Sequence, residues 1–498
     1  MNELPNGWEV ATIGDVTLPK VPQGAPEEKS TFTYVDISSV DNVAKRIASA
    51  RSLVGKDAPS RARQHLAPND VLVSMTRPNL NAVAKAPADL DGAIGSTGFD
   101  VLRCQEIEPD WIFYTVRSPA FVQAMSDLVQ GALYPAVRSD DVRSYHIPLP
   151  PINEQRRIVA KLDALFEKSR SIREKLDRLP RLLANLQRSI LNSAFRGDLT
   201  REWRARNPTV EPASEFLKRI RAERRAKWEA DLIAKSKDPK RVKYVEPEPV
   251  DAKGLPELPK GWCWTTVDEI CSAVRSLCYG VVQPGDEDAD GVRLIRVCDL
   301  EEGTINISDL RTISGDVNRE YKRSIVLEGD VLISVVGTIG RMAIVPPACD
   351  GMNIARAVAR IAPIQVPSEW VRYWMESNWM QFRLTLGARE VARKTLNLDV
   401  LRQEVIPLAP FDEMLQIMKM VRSVEAAAKS QMNKVARMTD RQIGFEHSSL
   451  AAAFRGELIP QDPNDEPASV LLERIRAQKP VAGTKRGQTR RHAAPKGP

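Results

Sequence analysis

The sequence predicts an α+β fold made of two copies of one mixed α/β domain and two long helices that pair with each other. Two observations support this. Short motifs recur in the same order at a period of about 255–260 residues, which is too long for a solenoid and indicates a duplicated module. Each copy ends in a long heptad pattern of apolar residues. The 498 residues suffice for about three domains.

The repeat rests on motifs that keep their order in both copies. Between the motifs the two copies differ strongly, which indicates one scaffold with two different surfaces. The recurring motifs are Leu4-Pro5-Asn6-Gly7-Trp8 and Leu258-Pro259-Lys260-Gly261-Trp262, 69–74 and 329–334, Ile147-Pro148-Leu149 and Ile406-Pro407-Leu408, 194–199 and 453–458, and Glu211-Pro212-Ala213-Ser214 and Glu466-Pro467-Ala468-Ser469.

The mixed part of each copy is predicted to consist of short strands, turns and short helices. Strand-length runs rich in apolar and β-branched residues are bounded by Gly, Pro or Asp. The predicted strands are Phe32–Ser38, Val71–Met75, Val292–Cys298 and Val331–Val336, and the predicted helix starts are Trp111–Val116 and Trp370–Met375.

The first long helix follows Pro150-Pro151, with Asn153 as its expected N-cap. Its heptad seam is Ile158, Leu162, Leu165, Ser169, Ile172, Leu176, Leu179, Leu183, Leu186 and Ile190. The 33 residues from Ile158 to Ile190 span about 50 Å as a helix. Pro180 predicts a bend or a short break.

The second seam is weaker and has small and polar members, namely Ile417, Val421, Val424, Ala428, Gln431, Val435, Met438, Gln442, Phe445, Ser449 and Ala452. We expect the two helices to pair, because the small residues of the second match the larger ones of the first. The alternative is that each helix packs separately on its own domain.

Composition sets looser limits on function. The net charge of +7 and the pI near 9.0 permit nucleic-acid binding without demanding it. The six cysteines form no C-x-x-C pair and the four histidines do not cluster with them, so no zinc site is expected. No signal peptide or apolar run of membrane-spanning length occurs, which favours a cytoplasmic protein.

A basic amphipathic segment, 215–243, carries eleven Lys/Arg against five Asp/Glu and precedes the extended linker Glu246-Pro247-Glu248-Pro249. We expect a solvated face here, with contact to DNA phosphates or to a protein partner left open. The basic tail from Lys479 is predicted to be disordered.

Catalytic motifs are missing from the sequence. It contains no G-x-x-x-x-G-K-[ST] loop, no Asn-Pro-Pro-aromatic or Asp-Pro-Pro-Tyr tetrapeptide, no H-E-x-x-H and no G-x-S-x-G. We therefore expect a chain that is not an enzyme, with no catalytic residues, no metal site and no cofactor of its own.

The motifs that open each half and flank the long helices resemble those of type I restriction specificity subunits. The resemblance covers nearly the whole chain to about Arg476. It rests on the Leu-Pro-x-Gly-Trp openings, the string 147–155 (Ile-Pro-Leu-Pro-Pro-Ile-Asn-Glu-Gln) and the Ala-Phe-Arg-Gly after each helix. The second copy departs from the string, with Met414 in place of the glutamine.

The resemblance implies two target recognition domains joined by two long conserved helices that form an antiparallel coiled coil, with pseudo-twofold symmetry. It also implies recognition of a bipartite, asymmetric DNA target. The implied partners are double-stranded DNA, two methyltransferase subunits and restriction/translocase subunits. S-adenosylmethionine, ATP and Mg²⁺ are expected in those partner subunits.

On this basis we expect six segments. They are target recognition domain 1 (1–151), spacer helix 1 (152–199), the basic helical segment with its Pro-rich linker (200–254), target recognition domain 2 (255–410), spacer helix 2 (411–456), and the return segment with its basic tail (457–498).

Candidate DNA-binding residues are polar or aromatic side chains in loops that follow predicted strands or precede the Ile-Pro-Leu motifs. Arg offers bidentate contact to guanine, and Asn or Gln to adenine, although phosphate contact is the commoner role for each side chain. The candidates are Arg77, Asn79, Tyr134 and Arg138 in the first copy, and Arg296, Arg341, Arg389, Arg393, Lys394 and Asn397 in the second.

Two alternatives remain open at this point. One is an enzyme of the same defence class with a fused methyltransferase or nuclease, although no segment is left for a catalytic domain. The other is a coiled-coil scaffold that binds proteins without recognising DNA sequence.

Overall fold

The computed structural model repeats one arrangement of strands and helices in both halves of the chain, as the sequence predicts. It describes residues 4–131, 134–301, 303–387 and 395–478. The chain divides into two compact units, Met1–Asp177 with Ala436–Pro498 (the first unit) and Arg178–Val435 (the second unit). Each long helix therefore contributes one part to each unit.

Among its described residues, the first copy of the mixed domain contains eleven short strands and three short α-helices. The strands are β1 (Glu9–Thr12), β2 (Thr31–Val35), β3 (Val40–Asp41), β4 (Arg46–Ile47), β5 (Arg51–Val54), β6 (Ala62–His65), β7 (Val71–Ser74), β8 (Val83–Lys85), β9 (Ile94–Ser96), β10 (Phe99–Leu102) and β11 (His146–Leu149). The helices are α1 (Pro109–Arg117), α2 (Pro119–Asp127) and α3 (Ser139–Arg143). The main sheets have the strand orders β5-β2-β9-β6 and β10-β7-β8, and β1 pairs antiparallel with β11.

The first long helix, α4, spans Ile152–Phe195 and is followed by α5 (Arg201–Arg206) and α6 (Ala213–Ala234). One local expectation is wrong, and a second is wrong in one of its two forms. Asn153 is not the N-cap, because the helix already begins at Ile152 directly after Pro151. At Pro180, where a bend or a short break is expected, the break is absent, since the helix continues through the proline.

The second copy repeats the first closely. Its strands are β12 (Cys263–Thr266), β13 (Cys278–Tyr279), β14 (Val292–Ile295), β15 (Leu300–Glu301), β16 (Thr304–Ile305), β17 (Arg311–Ile313), β18 (Val331–Ser334), β19 (Met342–Ile344), β20 (Asn353–Ile354), β21 (Val358–Ile361) and β22 (Val405–Leu408). Its helices are α7 (Val267–Ile270), α8 (Gly315–Glu320), α9 (Ser368–Glu376), α10 (Asn378–Gly387) and α11 (Leu398–Gln403). The main sheets are β13-β21-β18-β19 and β17-β14-β20, and β12 pairs with β22 as β1 does with β11.

The second long helix, α12, spans Phe411–Phe454 and is followed by α13 (Ala468–Gln478). The two long helices pair antiparallel within each unit, as expected. In the first unit Ile158 and Leu162 share a core with Leu450 and Ala453. In the second unit the last turns of α4 share a core with the first turns of α12.

The predicted heptad seams are only half buried. On α4, Leu162, Ser169 and Leu176 are buried at seven-residue spacing, whereas Ile172, Leu179 and Leu186 are exposed. The second helix behaves alike, with Ala428, Gln442 and Ser449 buried and Met438 and Phe445 exposed. Along most of each helix only one of the two seam positions per heptad is buried, although Ile158 and Ile417, near the start of each helix, are buried at the other position. In the first unit the side chain of Gln442 donates to the Ser169 hydroxyl at 2.7 Å.

The recurring motifs meet at a junction between the mixed domain and the helices, and each unit contains one such junction. In the first unit the Trp8 indole N–H donates to the Glu154 carboxylate at 3.0 Å. In the second unit Trp262 donates to Glu413 at the same distance. The motifs are therefore structural, and their recurrence reflects the fold rather than the recognition surface.

Aromatic packing and a backbone hydrogen bond complete each junction. The ring of Phe454 packs edge-on against Trp111 with 5.0 Å between centroids, and Phe195 packs likewise against Trp370 at 4.9 Å. The segment after each long helix then docks on the mixed domain. The Ala468 N–H donates to the Gly7 carbonyl at 2.9 Å, and α6 repeats this bond on Gly261 at 2.8 Å.

Candidate nucleic-acid interface

In the first unit, the two predicted DNA-binding loops lie side by side. The loop after β7 forms an antiparallel bridge between Thr76 and Ala136. The Arg77 N–H donates to the Pro135 carbonyl at 2.8 Å, and the Val137 N–H donates to the Met75 carbonyl at 2.9 Å. These bonds bring Arg77 and Asn79 onto the same surface as Tyr134 and Arg138, although the two loops are about 60 residues apart in sequence.

The side chains on this surface are available for a ligand. Arg77, Asn79 and Arg138 are exposed, and Tyr134 is 86% exposed. Among the described residues, none forms a hydrogen bond or ion pair with the side chains of Arg77, Asn79 or Tyr134. A solvated guanidinium, an amide and an aromatic ring are the groups that contact base edges, phosphates and sugars.

The backbone of this loop is held in an uncommon conformation. Arg77 has φ of +49° and Asn81 has φ of +46°, both in the left-handed region. Non-glycine residues persist there only where surrounding contacts enforce it, and such positions are concentrated at functional sites. Pro78 fixes the next φ and begins a single 3₁₀ turn that ends at Leu80.

Two further residues support the loop, and sequence reasoning missed both. The Asn81 side-chain amide donates to the Val116 carbonyl at 2.7 Å. The Lys45 ammonium donates to the carbonyl and the side-chain oxygen of Asn81 at 2.6 and 2.8 Å. Burial, with repulsion from Arg117, lowers the pKa of Lys45 to about 8. Nothing in the sequence around Lys45, which lies in the β3–β4 turn, signals this role.

In the second unit the equivalent loops meet in the same way. Val336 bridges Thr395, and the Leu396 N–H donates to the Val335 carbonyl at 2.9 Å. Arg341 is exposed and its N–H donates to the Ser334 hydroxyl at 2.8 Å. The loop after β18 therefore contacts the segment that precedes α11 through Val335 and Val336, and Arg341 lies at the end of that loop.

The other second-unit candidates differ in their surroundings. Asn397 is exposed but caps α11, where its side-chain oxygen accepts from the Asp399 N–H at 3.0 Å. Arg389, Arg393 and Lys394 lie outside the described residues.

Arg296 is a candidate whose side chain is already hydrogen-bonded within its own domain. Its guanidinium donates to both carboxylate oxygens of Asp299, at 3.1 and 3.0 Å, and to the Asp309 carbonyl at 2.7 Å. The hydrogen bond to Asp299 raises the pKa of Arg296. Base contact by Arg296 would require breaking this pair, so it is the weakest member of the predicted set.

The surface offers ligand contacts but no metal chemistry within the part of the chain that the structure describes. No group of three or more His, Cys, Asp or Glu side chains there is arranged to hold a metal ion. No described helix is long and apolar enough to cross a membrane.

Comparison with known proteins shows which family has a similar sequence. Residues 5–181 match the family model described as the type I restriction modification DNA specificity domain. The chain is 32% identical over 401 residues to the EcoBI type I restriction enzyme specificity subunit of Escherichia coli, covering 78% of this chain and 76% of that protein. The EcoKI specificity subunit of Escherichia coli strain K12 is 22% identical and covers 98% of this chain and 99% of its own length.

Solved structures give the same result. The HsdS subunit from Thermoanaerobacter tengcongensis matches with a TM-score of 0.51 and 25% identity, covering 92% of this chain and 98% of that one. A chain from a structure of the type I R-M system, described in terms of complex assembly and conformational transition, matches with a TM-score of 0.65 and 25% identity. It covers 92% of this chain and 100% of that one.

Proposed function

The chain belongs to the family of type I restriction enzyme specificity subunits, and we propose that it is the non-catalytic subunit that recognises the DNA sequence for a type I restriction-modification complex. The observation that carries this proposal is the pairing of exposed loops in each unit. The same scaffold presents Arg77, Asn79, Tyr134 and Arg138 in one unit and Arg341 in the other. Different loops on equivalent scaffolds suit a target of two unlike half-sites.

The target is accordingly bipartite and asymmetric, with target recognition domain 1 in residues 1–151 and domain 2 in residues 255–410. Two linked domains bind one duplex with an effective concentration set by the spacer, so two weak half-sites give one tight site. Major grooves on one face of B-DNA recur about every 34 Å. Helices of 44 residues exceed that length, which supports a role for them in setting the gap.

The catalytic steps belong to partner subunits. Two methyltransferase subunits and restriction/translocase subunits dock on this chain and bind S-adenosylmethionine, ATP and Mg²⁺. We also assign the complex to the cytoplasm, where it meets DNA. The absence of catalytic motifs from the sequence supports the assignment of catalysis to the partner subunits.

The test is a base-resolution map of adenine methylation in cells that carry or lack this gene, with the neighbouring methyltransferase gene present in both. We expect one split, asymmetric motif to lose its methylation when the gene is removed. If no motif changes, and the purified complex binds all duplexes equally, the proposal is wrong and a protein-binding scaffold remains.

Two variants test the modular arrangement directly. Replacing residues 1–150 with the corresponding segment of another specificity subunit should change one half of the motif and leave the other half unchanged. Deleting one heptad within Ile158–Ile190 should shorten the gap between the half-sites. A changed second half-site in the first experiment, or an unchanged gap in the second, would contradict the arrangement.

A further inference from the structure

A cationic pocket of about 290 Å³ lies in the second unit, at the end of β18 that is remote from Arg341. Its lining includes Arg275, Lys322, Arg323 and Arg360. Lys322 and Arg323 precede β18, whereas Arg341 follows it. The strand has four residues, so its first and last residues are about 10 Å apart at 3.3 Å per residue.

Arg360 is the most informative residue of this pocket. It lies on β21 and is 2% exposed. Its Nη1 donates to the carbonyls of Arg323 and Ile325, both at 2.8 Å, and its Nη2 donates to the Ser276 carbonyl at 3.1 Å. Its Nε is buried and has no partner among the described residues. The edge formed by Nε and Nη2 is one that guanidinium groups use for bidentate binding of phosphate or carboxylate.

The pocket has more positive charge than its carboxylate neutralises. Asp330 binds Arg275 through both oxygens, at 2.9 and 2.5 Å. No carboxylate of the described residues accepts a hydrogen bond from Arg360. Lys322 and Arg323 are exposed, and within the described ranges neither side chain has an ion pair. A buried guanidinium without its own anion is costly, because desolvation is repaid only by a paired charge.

The scaffold itself does not require this arginine. Arg360 lies opposite Leu332 in the second unit, and Val101 lies opposite Leu72 at the equivalent point of the first unit. Val101 is 1% exposed and packs in an apolar cluster. Since valine fills the same position in the other copy, the buried charge is specific to the second unit.

We propose that this pocket is a binding site for a phosphate-class oxyanion, which is seated against Arg360 and held by Lys322 and Arg323. The anion has two sources with the same chemistry, a backbone phosphate of bound DNA or free inorganic phosphate. The DNA source rests on the proposed function, and the free-phosphate source does not.

The first experiment titrates the full chain with inorganic phosphate by calorimetry, at constant ionic strength set with chloride. K322Q/R323Q removes two exposed cations without touching the core, and we expect it to weaken phosphate binding about tenfold or more. R293Q/R319Q is the matched control, because it removes two exposed charges from the same unit outside the pocket. R360M should also abolish binding, and the surface double variant still decides the matter if R360M fails to fold.

The second experiment identifies the source of the anion. If a DNA phosphate occupies the pocket, DNA-saturated protein no longer binds inorganic phosphate. In that case K322Q/R323Q lowers the steepness of the dependence of log DNA-binding constant on log salt concentration by about one, relative to R293Q/R319Q. The reason is that each neutralised phosphate contributes about 0.9 to this slope. If free phosphate is the ligand, it binds equally with and without DNA and the slopes agree.

The proposal is overturned if wild-type chain binds no phosphate and the salt slope is the same in both double variants. A chain that binds phosphate in this pocket but shows no sequence preference on DNA would instead overturn the proposed function alone.

Discussion

The two junctions between mixed domain and long helices share one hydrogen bond but differ in the carboxylate that accepts it. In the second unit Glu413 is fully buried and accepts from Trp262, from the Thr200 hydroxyl at 2.6 Å and from Arg204. In the first unit Glu154 accepts from the side chain of Trp8, and its other oxygen is buried without a partner among the described residues.

The sequence explains this difference. Ile459 and Pro463 stand 259 residues after Thr200 and Arg204, so the first junction lacks both the hydroxyl and the guanidinium. Burial accordingly raises the pKa of Glu154, while the Trp8 hydrogen bond and Arg157 oppose the shift. The duplicated motif therefore preserves geometry, while the energetic role of each carboxylate depends on neighbours outside the motif.

The largest predicted effect is on the unfolding free energy of the second unit when Glu413, which accepts from three side chains, is removed. E413A leaves Arg204, Thr200 and Trp262 without their common acceptor, so we expect the unfolding free energy of the second unit to fall by about 3 kcal/mol. E154A in the first unit is the matched control and should cost about 1 kcal/mol, the value of one hydrogen bond. Hydrogen exchange measured by mass spectrometry on the full chain resolves the two units. Equal losses at both junctions would contradict the comparison.

The next predicted effects differ between Arg77, whose side chain is unpaired among the described residues, and Arg296, which is hydrogen-bonded within its own domain. R77A should weaken binding to the cognate duplex about tenfold, because an exposed, unpaired guanidinium is available for base or phosphate contact. R296A should instead destabilise the second unit, since Arg296 holds Asp299 and the Asp309 carbonyl. Fluorescence anisotropy with duplexes altered in one half-site measures DNA affinity, and so separates the binding loss expected in R77A from the loss of stability expected in R296A. Wild-type affinity in R77A would remove Arg77 from the interface.

Much of the fold could be predicted from the sequence because two strong periodic signals specify it. The recurring motifs indicate the duplication, and the heptads indicate the long helices and their pairing. The burial of individual seam residues was not predictable in the same way. Leu186 is apolar and at a heptad position, yet it is 51% exposed, because which of two heptad positions faces the partner depends on tertiary packing.

The candidate site could also be predicted only in part from the sequence. A loop after a buried strand suffices to predict that Arg77 and Arg341 are exposed. Contacts between distant segments have no sequence signature, and so the support of Asn81 by Lys45 was missed. Arg360 was missed for a related reason, since an arginine within an apolar strand gives no sign of whether it is paired once folded.

A smaller, pH-dependent effect is expected at Glu376, which the second unit places beside Arg372 and near Glu425. Burial raises the pKa of Glu376 from 4.5 to about 7, with Arg372 opposing and Glu425 reinforcing the shift. Between these values the folded chain retains a proton that the unfolded chain has released. The unfolding free energy of the second unit should therefore decrease as pH rises from about 4.5 to about 7.

E376Q removes this titration, because glutamine does not ionise. Its unfolding free energy should vary less between pH 5 and pH 7.5 than that of the wild type, as followed by denaturant unfolding at each pH. E301Q is the matched control, because Glu301 is an exposed carboxylate that lines the same cavity of about 430 Å³ as Glu376. An unchanged pH profile in E376Q would show that Glu376 is ionised throughout.

The smallest effect is expected for E154Q, because glutamine retains a carbonyl oxygen that accepts from the Trp8 indole. The raised pKa of Glu154 means that the first unit loses stability as pH rises above 4.5, where the unfolded chain releases the proton and the folded chain still retains it. Removing the buried charge offsets the weaker hydrogen bond, so the unfolding free energy at pH 7 should change by less than about 1 kcal/mol. E413Q is the matched variant and should be clearly destabilised, since it deprives Arg204 of its anion. Hydrogen exchange at pH 7 compares the two, and a large loss in E154Q would mean that the Glu154 charge is needed despite its unpartnered oxygen.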